Sequence, residues 1–121
     1  MTSAMNAQVG AASRERLPNR RPSETINFEV ERDGVPPISY TATIGYYMDG
    51  RVAEIFLRSG RTGTDLLIQT NETALAVSFA LQHGCPLETI RKAMPRTNDG
   101  RPEGVIGTLL DILAAEDMSA K

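Results

Sequence analysis

Hydrophobic and polar residues alternate along three successive segments in the first half of the chain, over residues 25–31, 38–47 and 52–58. A period of two is typical of strands that bury one face and expose the other. Turn residues separate the segments, at Asp33-Gly34 and at Asp49-Gly50. The second of these pairs, Asp49-Gly50, favours a primed hairpin turn, which needs a positive φ angle. The pattern therefore predicts a three-stranded antiparallel meander.

From Thr64 onward the spacing of hydrophobic residues becomes helical. A first helix is predicted from Thr64, as its N-cap, to His83, and Gly84 suits the position just after its end. Its segment ALAVSFAL is apolar nearly all round, so we expect this long helix to be central and buried against the sheet. Two further helices are predicted, one beginning at Pro86 and one after the polar loop 96–103. The order β-β-β-α-α-α predicts an α+β fold.

The length of 121 residues is that of one domain. We expect the domain over residues 23–115, a disordered or extended basic arm over residues 1–22 and a frayed tail over residues 116–121. The N-terminus lacks the apolar segment of a secretory signal, and no apolar stretch reaches membrane-spanning length. A single cysteine excludes an internal disulfide and is typical of a reducing compartment. These features predict a cytoplasmic protein without membrane association.

Charge divides the chain into a basic arm and an acidic body. The net charge is −2 overall and +3 for residues 1–22, which leaves −5 for the rest. A basic arm on an acidic body indicates an anionic partner, such as a nucleic acid, a nucleotide phosphate or an acidic protein surface. The alternative is a solvated tail that aids solubility. The arginines of this basic arm are Arg14, Arg16, Arg20 and Arg21.

The loop between the third strand and the first helix combines glycines, arginines and hydroxyls. Free N–H groups at a helix N-terminus bind anions, glycines allow close approach of a phosphate, and arginine supplies forked donors. This pattern predicts an anion or nucleotide site, although the Gly-Lys-Ser/Thr of a Walker A loop is missing. The alternative is a strand-to-helix connection that needs these residues only for its backbone. The candidate residues are Arg58, Gly60, Arg61, Gly63 and Thr64.

Few residues suit catalysis or metal binding. Cys85 lies two residues from His83, but one is predicted at a turn and the other at a helix end, so a thiolate–imidazole pair is not required. One histidine and one cysteine cannot complete a zinc site within the chain, although copies could share one. Glu54 is expected to face solvent, alone or beside a cross-strand arginine. We therefore expect no catalytic residue, no metal site and no complete enzyme.

Two binding modes other than anion recognition remain open. Three tyrosines lie on the second strand, and if at least one is exposed, the sheet and the basic arm could bind nucleic acid. Core packing and cross-strand pairing explain the same tyrosines. The open edges of a three-stranded sheet could also pair between copies of the chain. The tyrosines are Tyr40, Tyr46 and Tyr47.

Four segments resemble a known family: RERLPNRR, YYMDGRVAEIFLRSG, ALAVSFALQHG and CPLETIRKA. Together they are similar to the TSCPD-type domain appended to the C-terminus of adenosylcobalamin-dependent (class II) ribonucleotide reductases, a family that includes short stand-alone members. The resemblance covers about residues 14–115, and residues 49–56 are its most specific part. It implies a non-catalytic accessory role linked to deoxyribonucleotide and DNA synthesis, with a ribonucleotide reductase as partner.

The sequence departs from that family at the motif that names it. No Thr-Ser-Cys-Pro-Asp is present, and where the motif could open the last helix the chain reads Gly100-Arg101-Pro102-Glu103-Gly104. A cysteine-linked role therefore cannot be transferred. The resemblance implies adenosylcobalamin only through a partner reductase, and an enzyme name such as ribonucleoside-diphosphate reductase would apply by domain resemblance alone. A small nucleic-acid-binding or regulatory protein is the alternative.

Overall fold

A meander of three antiparallel strands forms one face of the fold. In the computed structural model, which describes residues 13–32, 34–59 and 65–119, the strands are β1 (Ser23–Arg32), β2 (Val35–Tyr46) and β3 (Val52–Ser59). They pair in the order β1-β2-β3, so the predicted meander is confirmed.

Alternate residues of each strand lie on opposite faces of the sheet, as the period-two pattern predicts. Phe28 pairs with Tyr40, and Ile44 pairs with Ile55. These residues and their neighbours at alternate positions are buried on the inner face, while threonines and other polar residues lie on the outer face. The inner face consists mainly of Phe28, Val30, Tyr40, Ala42, Ile44, Ala53, Ile55 and Leu57.

The β2–β3 hairpin lies where Asp49-Gly50 predicts it, but its turn is of a different kind. Among the described residues only glycines have positive φ, so Asp49 does not adopt the primed conformation. The Gly50 N–H donates to the Tyr47 carbonyl at 2.9 Å, and Gly50 itself has a φ of 95°. The Tyr47 N–H also donates to the Arg51 carbonyl at 2.9 Å. The hairpin is therefore a three-residue loop that closes with a left-handed glycine.

Three helices follow the sheet, and the first and the last of them pack against it. They are α1 (Asp65–Gln82), α2 (Leu87–Ala93) and α3 (Val105–Ser119), so the predicted α+β order is confirmed. Gly84 has a φ of 96°, and the N–H groups of Gly84 and Cys85 donate to Leu81 and Ala80, which ends α1 in a Schellman motif. The helical part of the core consists of Leu67, Ala74, Val77, Leu81, Val105, Ile106, Leu109, Leu110 and Leu113.

Helix α1 packs against β3 and also satisfies the outer edge of that strand. The buried Ser78 hydroxyl lies 2.9 Å from the Ile55 N–H, and the Gln82 amide donates to the Ala53 carbonyl at 3.0 Å. Side chains of α1 thus occupy positions that a further strand would need for pairing. Pairing between copies through this part of the β3 edge would require α1 to move.

The long helix packs on the sheet as expected, but its apolar surface is not buried all round. Leu67, Ala74 and Leu81 face the core, whereas Leu75 and Phe79 are 54% and 41% exposed. The physical reason is the position of α1 beside the edge strand β3. The elements that contact α1 lie on only one side of the helix. Ile68, Leu75 and Phe79 therefore remain exposed on the side of α1 that faces away from the core.

Asp111 of α3 holds α2 and the loop that follows it. Its carboxylate accepts hydrogen bonds from Arg96 at 2.6 Å and from Arg91 at 3.2 Å. Hydrogen bonds from Arg96, and more weakly from Arg91, hold the pKa of Asp111 below its ordinary value of 3.8. The ion pairs are partly buried, so they are screened less than exposed pairs.

We expect Asp111→Asn to lower the free energy of unfolding by about 1–2 kcal/mol at neutral pH, because two arginines lose a charged acceptor. Since the folded-state pKa is depressed, this stabilisation is complete above the ordinary pKa of 3.8 and is lost as the pH falls through the folded-state pKa. Urea unfolding of both proteins over a pH series measures the difference. The exposed Glu116→Gln on the same helix is the control. A difference between wild type and Asp111→Asn that persists unchanged at low pH would contradict the assignment.

Candidate functional site: the N-terminal strap and its cleft

The segment before β1, residues 13–22, lies across the end of the sheet and the end of α1, and we call it the strap. It contains neither helix nor strand. The Glu15 N–H donates to the Gln82 carbonyl at 2.7 Å, which satisfies one of the free carbonyls at the C-terminus of α1. At its other end, the Pro22 carbonyl accepts from the Tyr46 N–H at 2.9 Å. The strap is thus joined to both α1 and β2 through the main chain.

Side chains at the start of the strap add further contacts. The Arg14 guanidinium donates to the Gln82 side chain at 2.5 Å and lies over the Phe79 ring, 4.9 Å from its centroid. Glu15 accepts two hydrogen bonds from Arg51, at 2.8 and 3.0 Å, and its carbonyl accepts from the Tyr47 hydroxyl. Because Gln82 also bonds β3, one buried amide connects strap, helix and sheet.

Arg21 and Glu54 form the least exposed ion pair of the strap. Glu54 was expected to face solvent; instead its side chain is 11% exposed and accepts from the Arg21 Nε at 2.5 Å. The expectation was wrong because the strap covers this part of the outer sheet face. Glu54 lies opposite Gly45, and a Cβ added to Gly45 would be 2.3 Å from the Glu54 Oε2. The absence of a side chain at Gly45 makes room for the carboxylate.

The arginines predicted to bind an anion separate into two kinds. Arg14 and Arg21 bond Gln82 and Glu54 within the chain, as described above. Arg16 and Arg20 are exposed. Residues 1–12 of the predicted basic arm lie outside the described residues. Phosphate binding by the full set of four arginines stays a prediction, and it would require the internal contacts of two of them to be replaced.

Tyr40 and Tyr46 of β2 and Tyr47 just after it do not form an exposed aromatic surface, so that part of the nucleic-acid interpretation was wrong. Tyr40 is 3% exposed and stacks on Phe28 in the core, and Tyr47 is 5% exposed beneath the strap. Tyr46 is half-buried and donates its hydroxyl to Glu24. Burial, followed by the hydrogen bond to Glu24, raises the pKa of Tyr46 above its ordinary value. Burial likewise raises the pKa of Tyr47.

The predicted anion-binding loop falls almost entirely outside the described residues, which omit 60–64. Gly60, Arg61, Gly63 and Thr64, including the proposed N-cap, therefore stay predictions. Arg58 is described: it is exposed on the outer face of β3, opposite Thr41 in the register.

Cys85 and His83 each contact a different main-chain carbonyl. The Cys85 sulfur lies 3.9 Å from the Pro86 oxygen, and the His83 Nδ1 lies 2.7 Å from the Phe79 oxygen. In the described part of the chain, no group of three or more histidine, cysteine or acidic side chains is arranged to hold a metal ion. These contacts are those of a helix end and a turn.

A cleft of about 910 Å³ opens between the hairpin, the end of α1 and the two later helices. Its arginines already have acidic partners: Arg51 bonds Asp49 as well as Glu15, and Arg91 bonds Glu88. The Arg51 N–H and guanidinium hold the pKa of Asp49 below its ordinary value, and Arg91 does the same for Glu88. An anionic ligand would have to displace these carboxylates, so the cleft favours apolar or neutral groups. Its apolar walls include Val52, Leu81, Leu87 and Leu113.

Sequence reasoning did not identify the residues that fix the strap. Gln82 was noted only within a helix and within a segment of the family resemblance, and Gly45 only within a strand. A glycine inside a strand often marks a close approach of another group, and that signal was available at Gly45. No such local signal marks Gln82.

Comparisons with known proteins place the chain in a family. The TSCPD domain profile matches residues 7–115, which include the strap, the sheet and nearly all of the helices. The vitamin B12-dependent ribonucleotide reductase of Agrobacterium fabrum is 37% identical over 93 residues, which are 77% of this chain and 7% of the reductase. Proteins of the same name from Bradyrhizobium diazoefficiens and Streptomyces clavuligerus are 40% and 36% identical over 62% and 63% of the chain.

The chain thus spans less than a tenth of the length of each of these three relatives, covering 7%, 6% and 7% of them. No solved structure matches it. Within the described residues, no helix has the length and apolar character needed to cross a membrane. The profile match over most of the chain, together with the reductase relatives, shows that the chain belongs to the TSCPD domain family.

Proposed function

We propose that this chain is a non-catalytic accessory domain that binds a vitamin B12-dependent ribonucleotide reductase and acts in deoxyribonucleotide synthesis. The observation that supports this proposal most directly is the nature of the relatives. Each is a reductase in which the matching region is a small share of a much longer chain, 7% in the Agrobacterium fabrum protein. A domain that is carried on a reductase in its relatives is expected to contact a reductase.

The chemistry of the described side chains supports a binding role over a catalytic one. Cys85 and His83 contact separate carbonyls, and the carboxylates around the cleft are bonded to arginines. A nucleophile with an adjacent general base is the usual requirement for covalent catalysis. In this proposal the reductase holds adenosylcobalamin and supplies the reaction.

Binding can be measured with the purified chain and the Agrobacterium fabrum reductase, in its full-length form and in a form lacking the matching 93 residues. We expect the chain to bind the shortened reductase, and the full-length reductase more weakly, because the domain of the full-length protein occupies the same surface. Circular dichroism of the shortened form verifies that it is folded. Interferometry gives the dissociation constants, and assays of deoxyribonucleotide production give the activity of each component.

Two results would contradict the proposal. Absence of binding to both reductase forms removes the proposed partner. Production of deoxyribonucleotide by the chain alone, without reductase, removes the non-catalytic role.

A further inference from the structure

Strand β1 forms one edge of the sheet, and half of its main-chain groups point away from the molecule. The Tyr46 N–H donates to the Pro22 carbonyl, and the bonds of an antiparallel pair recur at every second residue. The residues of β1 that bond β2 are therefore those at even positions, and the N–H and C=O groups of Thr25, Asn27 and Glu29 point outward. Among the residues that the structure describes, none outside β1 and β2 bonds these groups.

The two edges of the sheet differ in how far they are covered. At the β3 edge, Ser78 and Gln82 of α1 bond main-chain groups of the strand. Over residues 23–30, β1 has no proline and pairs with β2 in an unbroken register. Its bulge lies at the far end, between Val30 and Arg32. Bulges and covering side chains are the usual means of protecting an edge strand, so residues 23–30 are the part of β1 that can accept a further strand.

The sequence of β1 is complementary to itself in an antiparallel register centred on Asn27. In this register Asn27 lies opposite Asn27 of the second copy, Ile26 opposite Phe28, and Thr25 opposite Glu29. Apolar residues meet on the inner face, a hydroxyl meets a carboxylate on the outer face, and no glutamate lies opposite another. Ile26 is only half-buried in a single copy, and a second copy would cover it.

The neighbouring registers fit less well. They are shifted by two residues, because a shift of one would place the inner face of one copy beside the outer face of the other. Centring the pair on Ile26 puts the Glu24 carboxylate opposite the Phe28 ring. Centring it on Phe28 extends the pairing into the bulge between Val30 and Arg32, where the regular alternation of β1 is broken.

We infer that two copies of this chain pair through the edges of their β1 strands, antiparallel and about a twofold axis at Asn27. The two three-stranded sheets then form one continuous sheet. About six main-chain hydrogen bonds join the copies, two for each pair of outward-pointing residues. The axis is perpendicular to the sheet, so the helices of both copies lie on the same side. The pairing needs no reductase and is independent of the proposed function.

The wild-type chain tests the pairing directly. In sedimentation experiments we expect the fraction of dimer to rise with protein concentration up to about 1 mM. In the dimer, the amides of Thr25, Asn27 and Glu29 should exchange hydrogen at least about tenfold more slowly than in the monomer. The amide of Met48, on the exposed hairpin, is the control and should not change. A chain that stays monomeric over this range, or a dimer that leaves the three amides unprotected, would show that the inference is wrong.

Thr25→Pro removes one outward N–H and leaves the hydrogen bonds to β2 in place, because the Thr25 N–H does not point toward β2. We expect it to raise the dissociation constant of the dimer by about tenfold or more. Thr25→Val is the matched control: it keeps the N–H and should change the constant by less than about twofold. Thermal melts verify that both variants are folded. Equal dimerisation of Thr25→Pro and wild type would contradict the pairing.

Disulfide formation tests the register. With Cys85→Ser as the background, Asn27→Cys places two cysteines opposite each other, with their Cα atoms about 5.5 Å apart, which a disulfide can span. Glu29→Cys is the control, since its two copies lie four residues apart along the strands, at about 13 Å. We expect mild oxidation to link most of the Asn27→Cys chains and few of the Glu29→Cys chains on a non-reducing gel. Equal linkage of both variants would rule out the register centred on Asn27.

Discussion

Gly45→Ala is expected to lower the free energy of unfolding by about 2–4 kcal/mol, since the new methyl group overlaps Glu54 and disturbs its ion pair. A Cβ at this position would lie 2.3 Å from the Glu54 Oε2, 2.5 Å from its Cγ and 2.8 Å from its Cδ. The Oε2 could move away, but the Cγ is attached close to the main chain and can retreat only if the whole side chain rotates. That rotation would break the contact with Arg21.

The control for this substitution is Gly104→Ala. A Cβ at Gly104 meets no atom within 4 Å, and its φ is not in the left-handed region. Its stability should change by less than about 0.5 kcal/mol. Denaturant unfolding measures the loss of unfolding free energy in both variants. The double variant Gly45→Ala/Glu54→Ala should lose less unfolding free energy than the two single variants lose together. Equal stability of Gly45→Ala and wild type would refute the close approach of Glu54.

Arg21→Met is expected to destabilise the fold by about 2–3 kcal/mol, because it leaves a mostly buried carboxylate without its cationic partner. Glu54 is 11% exposed and the Arg21 side chain 30%, so water replaces the lost hydrogen bond only in part. The Arg21 Nη1 also donates to the Pro18 carbonyl at 2.8 Å, which holds the strap in its bend.

Arg20→Met serves as the comparison for Arg21→Met, since it removes the same charge from an exposed neighbour in the same strap. Chemical denaturation should find Arg20→Met within about 0.5 kcal/mol of wild type. Adding Glu54→Gln to Arg21→Met should restore part of the loss, because a neutral amide costs less to bury than a carboxylate. If both arginine variants lose the same stability, the effect is one of net charge and not of the ion pair.

The strands and the third helix could be predicted because burial alone determines their patterns. Phe28 and Val30 alternate with polar residues because the sheet has one buried face, and Leu109, Leu110 and Leu113 recur at helical spacing because α3 buries one stripe. The left-handed Gly84 was equally predictable, since the helix end determines its conformation locally.

The strap and the exposed side of α1 could not be predicted in this way, because both depend on distant parts of the chain. Arg21 and Glu54 are 33 residues apart, and nothing near Glu54 in the sequence indicates that another segment covers it. The apolar residues of α1 predicted that the helix is buried on all sides. Whether both sides of a helix are covered depends on how many other elements pack around it, and the sequence of α1 does not give that number. The charge of residues 1–22 indicated that the strap arginines bind an anionic partner. In the structure, Arg14 and Arg21 instead donate hydrogen bonds to Gln82 and Glu54 of the same chain.

The link between Arg14 and Gln82 also determines when this domain can finish folding. The two residues are 68 positions apart, so Arg14 receives its final partner only after the whole of α1 has been synthesised. Closing so long a loop late in the process favours slow completion. Until the strap is in place, the Tyr47 hydroxyl lacks the Glu15 carbonyl that accepts its hydrogen bond.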